Sequence, residues 1–197
     1  YERTIIDNAN DIILKSDGNW QALNLFKDSP AFVVHPPLGK WTIAVGEYAF
    51  GATPFGWRIS VAVLGILSII MLARIVRRLT RSDLIGTLAG LLLALDGIHI
   101  VMSRTGLLDM VLAFWILAAF GLLVIDRDHT RGRLAAKVRA ALTNDTEPSA
   151  ALDSLATGFG PTFGLRPWRW AAAVALGLAC SVKWSGIWFV VAFILMT

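Results

Sequence analysis

The stretch Trp57-Arg58-Ile59-Ser60-Val61-Ala62-Val63-Leu64-Gly65-Ile66-Leu67, continued by mostly apolar residues to about Val76, decides the fold. At about 1.5 Å per residue, a helix of roughly twenty such residues crosses the roughly 30 Å hydrocarbon core of a bilayer. The run ends on Arg74, Arg77, Arg78 and Arg81, positive charge of the kind that collects where a span leaves the membrane. Composition agrees with a membrane setting. Of 197 residues 56% are hydrophobic, eight are tryptophan and the mean hydropathy is +0.63, too apolar for a soluble domain of this length. The expected fold is all-α and integral to the membrane, a polytopic helical bundle.

Working outward from that run, a second apolar stretch covers Leu84 to about Ile100, a polar break follows at Ser103-Arg104-Thr105, and a third runs from Leu107 to Ile125. These predict three spans joined by tight turns. After Asp126 the chain turns charged and Ala-rich (Arg127, Arg131, Arg133, Lys137, Arg139) and then passes through Asn144-Asp145-Thr146-Glu147-Pro148-Ser149 into a Gly/Pro stretch before Leu165. That composition predicts a loop with an amphipathic helix near Leu134 to Leu142. Trp170 to Val182 and Ile187 to Met196 read as a fourth span and the start of a fifth, divided by Lys183-Trp184-Ser185-Gly186.

Upstream of the first span, Tyr1 to Phe32 mixes scattered charge with short apolar patches, Ile12-Ile13-Leu14 and Leu23-Asn24-Leu25-Phe26, which suit pieces lying on a bilayer. Ile43 to Phe50 is too short to cross and contains Gly46 and Glu47, so it reads as a membrane-surface helix. The expected organisation is an outer loop at 1–56, three transmembrane helices at 57–125, a cytoplasmic loop at 126–165, and one transmembrane helix with the start of the next at 166–197. The chain opens on Tyr1, with no cleavage site before Glu2, and stops inside an apolar run, so the expectation is a piece of a longer protein. The single cysteine, Cys180, excludes a disulfide framework and a Cys/His metal cluster.

Charge orients the spans. If they alternate, the arginines at 74–81, those at 127–139, Arg166 and Arg169 share one side, which the positive-inside rule makes cytoplasmic. In the first 50 residues six acids (Glu2, Asp7, Asp11, Asp17, Asp28, Glu47) outnumber four bases (Arg3, Lys15, Lys27, Lys40), in keeping with an outer placement. On this topology the glycosylation pattern Asn144-Asp145-Thr146 is cytoplasmic and unmodified.

The candidate site begins at Val34-His35-Pro36-Pro37-Leu38-Gly39-Lys40-Trp41. Two prolines keep His35 out of helical geometry, so the chain turns before a helix running to Phe50. His35 and Lys40 thereby bracket a helix start, whose unpaired N–H groups and partial positive charge suit a phosphate. The same residues also read as a plain entry turn with a snorkelling lysine. Arg58, Asp96, Arg104, Asp109 and Lys183 are the ionisable groups costly near lipid, and all map to the outer ends of spans. Each has a structural alternative. Arg58 sits beside Trp57 and Lys183 beside Trp184, as interfacial anchors do; Arg104 reads equally as a turn residue, Asp109 as a carboxylate favoured by a helix dipole, and Asp96 as a cap.

Taken in order, His35-Pro36-Pro37-Leu38-Gly39-Lys40, Gly56-Trp57-Arg58, Ser103-Arg104-Thr105-Gly106-Leu107-Leu108-Asp109 and Ser181-Val182-Lys183-Trp184-Ser185-Gly186 resemble the protein O-mannosyltransferase family, its actinobacterial-type members above all. The resemblance runs from about residue 30 to the end of the chain. It implies a C-type glycosyltransferase fold, here partial, and an enzyme of the cell membrane whose active face points outward. Such an enzyme moves mannose from a polyprenyl or dolichyl phosphate to Ser or Thr hydroxyls of exported protein, with inversion and without a metal or other cofactor. The implied partners are the lipid-linked donor, the secreted acceptor, the bilayer and the export translocon, with no nucleic acid. An Asp-Glu pair that the family carries in its first outer loop is not among these residues, and the resemblance places it shortly before Tyr1.

The chemistry fits the residues. A lipid phosphate is already a good leaving group, so the demands are cationic neutralisation of the departing phosphate and a carboxylate to take the hydroxyl proton. His35, Lys40, Arg58, Arg104 and Lys183 offer the first, with Pro36 shaping the turn. The resemblance assigns the second to the upstream acid and makes Asp109 a second acidic group near acceptor or sugar. Nothing in the sequence has metal-ligand spacing. Two rival readings are a transporter or flippase of a lipid-linked sugar, and a non-catalytic subunit that presents acceptor protein. Charged groups gathered at one level, with no inverted repeat, count against the transporter, and a full cationic set counts against the non-catalytic subunit.

Overall fold

The computed structural model describes residues 34–144 and 166–196, and every regular element within them is a helix. They are α1 (Leu38–Phe50), α2 (Pro54–Thr80), α3 (Asp83–Leu95), α4 (Gly97–Thr105), α5 (Leu108–Asn144), α6 (Pro167–Val182) and α7 (Gly186–Met196). The patches expected between Tyr1 and Phe32, and the segment 145–165 with the rest of the glycosylation pattern, lie outside the described residues.

Local chemistry accounts for the boundaries. Thr53 caps α2 by accepting from the Gly56 N–H at 3.1 Å, and Pro54 takes a first-turn position where its missing N–H costs nothing. Arg77 and Arg78 occupy the last turn, where cations suit the helix dipole. Arg81 then takes a left-handed conformation (φ 55°) that stops α2, and Ser82 caps α3 through the Ile85 N–H.

Two helices, α2 and α5, are long and apolar enough to cross a membrane, and the bent pair α3–α4 makes a third if it counts as one span. The bend is 59° and falls at Asp96. There the carboxylate accepts from the His99 N–H at 2.7 Å, capping α4 while α3 ends. The sequence put the polar break at Ser103-Arg104-Thr105. Those residues are helical instead, because Ser103 and Thr105 return their hydroxyls to the Ile100 and Val101 carbonyls and need no turn. The chain reverses at Gly106 (φ 74°), the residue type that adopts this geometry without strain.

A second difference lies beyond Ile125. The charged segment, expected as a loop with an amphipathic helix near Leu134 to Leu142, instead continues α5 without interruption to Asn144, so the expected helix is there as the end of a longer one. Its Ala, Leu and Arg content favours helix, and ionic contacts described below hold its first turns against α2 and α6. The short helices α1, α6 and α7 have 13, 16 and 11 residues.

The core is built where α1, α2, α5 and α6 meet, around Ile43, Val61, Val111, Ala179 and Val182. A smaller cluster of Ala119, Ala175 and Leu176 continues it between α5 and α6. On α2–α3, Gly86 and Gly90 let the backbones approach so closely that a Cβ at either would press on Ala73 or Arg77. The outward faces of α2, α3 and α4 are apolar (Ile66, Leu84, Leu91, Leu92, Leu95, Ile98, Val101). In water such surface would be a liability, whereas hydrocarbon accepts it at no cost.

Candidate functional site

At one end of the helices the chain passes through four junctions: the entry to α1, the entry to α2, the α4–α5 turn and the α6–α7 turn. Pro37 precedes the first helical residue, and its carbonyl accepts from the Trp41 N–H at 2.9 Å, so α1 starts one residue past the second proline. Gly39 then faces α5 and α6. A Cβ there would lie 2.6 Å from Leu108 Cδ2 and 3.2 Å from Val182 Cγ1.

Those two neighbours flank the acidic and basic residues that the sequence singled out. Lys183 Nζ donates to Asp109 Oδ1 at 2.8 Å, joining the start of α5 to the end of α6 across 74 residues. Both side chains remain partly open, 30% exposed for Lys183 and 41% for Asp109. Asp109 stands in the first turn of α5, where the helix dipole favours a carboxylate.

A second close approach organises the arginines. A Cβ on Gly106 would lie 2.8 Å from the Trp57 indole nitrogen, so the α4–α5 turn rests against the first turns of α2. This sets Arg58, next to Trp57, and Arg104, two residues before Gly106, on neighbouring helix ends. Both are exposed, and neither has an ion-pair partner among the described residues.

His35 and Pro36 are half-buried in the entry turn and Lys40 is exposed one turn into α1. The His35 Nδ1 atom is buried and makes no hydrogen bond among the described residues, an unsatisfied state that is costly for a polar atom. The structure thus brings Asp109 and Lys183 into contact, sets the turn carrying His35, Pro36 and Lys40 against their helices, and places Arg58 and Arg104 on adjoining ends. Asp96 stands apart as the cap of α4. Among the described residues, no group of three or more His, Cys, Asp or Glu side chains is placed to hold a metal ion.

Sequence reasoning passed over two buried polar groups. His99 is 9% exposed and its Nε2 donates to the Gly65 carbonyl at 3.1 Å, tying α4 to α2. The signal was its place three residues after Asp96, an N-cap spacing. Asp126 is 4% exposed and is paired through both carboxylate oxygens with Arg166, whose Nε lies 3.2 Å from Oδ1. No short motif announces that pair, because its members are 40 residues apart.

Fold and site together define a class: a polytopic α-helical membrane protein with cationic and acidic side chains gathered at one end of its helices. The model of the dolichyl-phosphate-mannose-protein mannosyltransferase family matches residues 24–143, and the chain belongs to that family. Similar curated proteins are named polyprenol-phosphate-mannose--protein mannosyltransferase. One from Mycobacterium tuberculosis is 47% identical over 178 residues, covering 88% of this chain and 32% of the relative. One from Mycolicibacterium smegmatis is 45% identical over 184 residues, 90% of this chain and 33% of the relative. One from Corynebacterium glutamicum is 44% identical over 161 residues, 82% of this chain and 29% of the relative. The chain therefore spans about a third of the length of the curated relatives it matches. No solved structure matches it.

Proposed function

We propose that this chain carries the donor-phosphate end of an inverting, metal-independent glycosyltransferase that moves mannose from a polyprenyl phosphate to Ser or Thr hydroxyls of exported protein. The observation that carries the reading is the open Lys183–Asp109 pair, flanked by Leu108 and Val182 on which Gly39 in the first turn of α1 packs. In the reaction the bond from mannose C1 to the phosphate oxygen breaks with both electrons leaving on phosphate. The acceptor oxygen bonds C1 from the opposite face, and its proton passes to a carboxylate.

Arg58 and Arg104 meet the departing phosphate, since a guanidinium fork matches phosphate oxygens and neither arginine has an ion-pair partner among the described residues. His35 and Lys40 add donors at the mouth of α1, and Pro36 fixes the turn that presents them. With Asp109 Oδ1 engaged by Lys183, Oδ2 is the oxygen left to accept a hydroxyl of acceptor or sugar. The family's Asp-Glu pair is then the base, and Lys183 both orients Asp109 and adds positive charge near the phosphate. By the positive-inside rule this end faces outward and the arginine-rich end faces the cytoplasm.

Arg58→Ala and Arg104→Ala, each in the full-length protein in membranes, test the clamp. Each is expected to lower mannose transfer at least tenfold with insertion unchanged, because removing a cation from a developing phosphate charge costs about 2–4 kcal/mol of transition-state stabilisation. Lysine at either position is expected to restore only part. Parent-rate transfer by both alanine variants overturns the assignment.

A further inference from the structure

At the other end of the same helices a cavity of about 400 Å³ opens between α2, α5, α6 and α7. Its wall is divided. One part is hydrocarbon, from Leu79, Phe120, Leu123, Val124 and Phe193, and the other carries the guanidiniums of Arg127, Arg131, Arg166 and Arg169 with the single carboxylate of Asp126. Two of the four arginines are already used, Arg166 by Asp126 and Arg127 by Asp128. Arg131 and Arg169 have no ion-pair partner among the described residues. An excess of unneutralised cations beside an apolar wall is complementary to one kind of molecule, a phosphate ester on an acyl chain.

The distance along α5 agrees. At about 1.5 Å per residue, Asp109 and Arg127 are about 27 Å apart on one helix, close to the roughly 30 Å of a hydrocarbon core. If Asp109 marks one bilayer surface, the Arg127–Arg131 turn lies at the headgroup level of the other, and Phe120 and Leu123 lie at acyl depth.

We propose that this cavity is a binding site for an anionic glycerophospholipid of the leaflet opposite the proposed mannose-donor site, with Arg131 and Arg169 on the headgroup phosphate and the Phe120–Phe193 wall along an acyl chain. The lipid fastens the α5–α6 junction and is not a reactant. The inference uses the end-to-end placement of charge and stands whether or not the other end handles mannose.

The test is lipid retention by the full-length protein, purified in a neutral detergent, offered phosphatidylglycerol or phosphatidylcholine of the same acyl chains, and read by native mass spectrometry. Phosphatidylglycerol is expected to be held in preference, and Arg131→Gln with Arg169→Gln to reduce that preference roughly tenfold or more, since a basic side chain at a membrane surface contributes about fivefold in affinity for anionic lipid and more when it lines a cavity. The lysine pair at both positions is expected to retain most of it. Arg81→Gln, at the same end but outside the cavity, is expected to leave it unchanged. Equal retention of the two lipids overturns the proposal, as does full competition by inorganic phosphate alone, or a loss with Arg81→Gln equal to that of the double variant, which would mean diffuse surface attraction.

Discussion

The apolar stretch of α5 is held to its neighbours near Asp109 and near Asp126 by opposite means. At the Asp109 end the contacts that fix geometry are backbone approaches: Gly39 against Leu108 and Val182, Gly46 against the Gly56 carbonyl, and Gly106 against Trp57. The charges there are exposed or half-exposed, and the Lys183–Asp109 ion pair is partly open on both sides. At the Asp126 end the fastening is itself ionic. Arg166 grips a carboxylate only 5% exposed, and Asp128 ties Arg78 at 2.7 Å and Arg127 at 3.1 Å. Where small residues set the architecture, Arg58 and Arg104 have no ion-pair partner among the described residues; where charged side chains set it, Asp126 and Asp128 consume Arg166, Arg78 and Arg127, and only Arg131 and Arg169 of the cavity's arginines are left over.

The largest expected effect falls on the consumed charges. Asp126→Ala strands Arg166 beside an emptied, mostly buried position, and breaking such a pair costs on the order of 3 kcal/mol. A thermal unfolding midpoint of the full-length protein several degrees below the parent is the expected reading, with Asp126→Leu/Arg166→Met recovering much of the loss. A parent-like midpoint for Asp126→Ala would erase the contrast between the ends.

Next comes Gly56→Ala at the opposite end. The new methyl would collide with the Gly51 carbonyl, a backbone atom that has no rotamer to escape into, so a loss of about 1–3 kcal/mol is expected. Limited proteolysis between α1 and α2 is the check. The change is expected to lower mannose transfer as well, by moving the α1 entry turn away from Asp109.

The smallest effect is expected at Ser82, whose hydroxyl caps α3 at 3.4 Å. Ser82→Ala should cost about 0.5–1 kcal/mol with transfer unchanged, which a midpoint shift of a few degrees at parent activity would show. A large loss of transfer from so remote a cap would blur the division between ends.

Much of this was legible in the sequence because bilayer thickness and helix rise leave few choices for a run such as Trp57 to Val76. The entry turn at Pro36-Pro37 and the capping role of Asp96 followed from chemistry local to each residue. The polar string Ser103-Arg104-Thr105 misled, because Ser and Thr satisfy themselves on a helix and the stop signals were Asp96 and Gly106 on either side. The length of α5 was hidden for a related reason. A run of Arg and Ala past Asp126 is good helix and poor membrane, and hydropathy registers only the second property. The pairings Lys183–Asp109 and Arg166–Asp126 join residues 74 and 40 apart, and periodicity and spacing carry no information about which distant charges meet.

The central claim is that the Asp109–Lys183 pair serves chemistry and not stability, and a double-mutant cycle on the full-length protein tests it most directly. Exposed pairs contribute only about 0.2–1 kcal/mol to folding. Asp109→Asn, Lys183→Met and the double variant are therefore expected to unfold within a few degrees of the parent. Each single change is expected to lower turnover with polyprenyl-phosphate mannose and a Ser/Thr peptide at least tenfold, more than it raises the apparent donor KM, and the double variant to lose less than the two losses multiplied. Parent-like turnover with a lowered unfolding midpoint would contradict the account and make the pair a fastener like the one at Asp126.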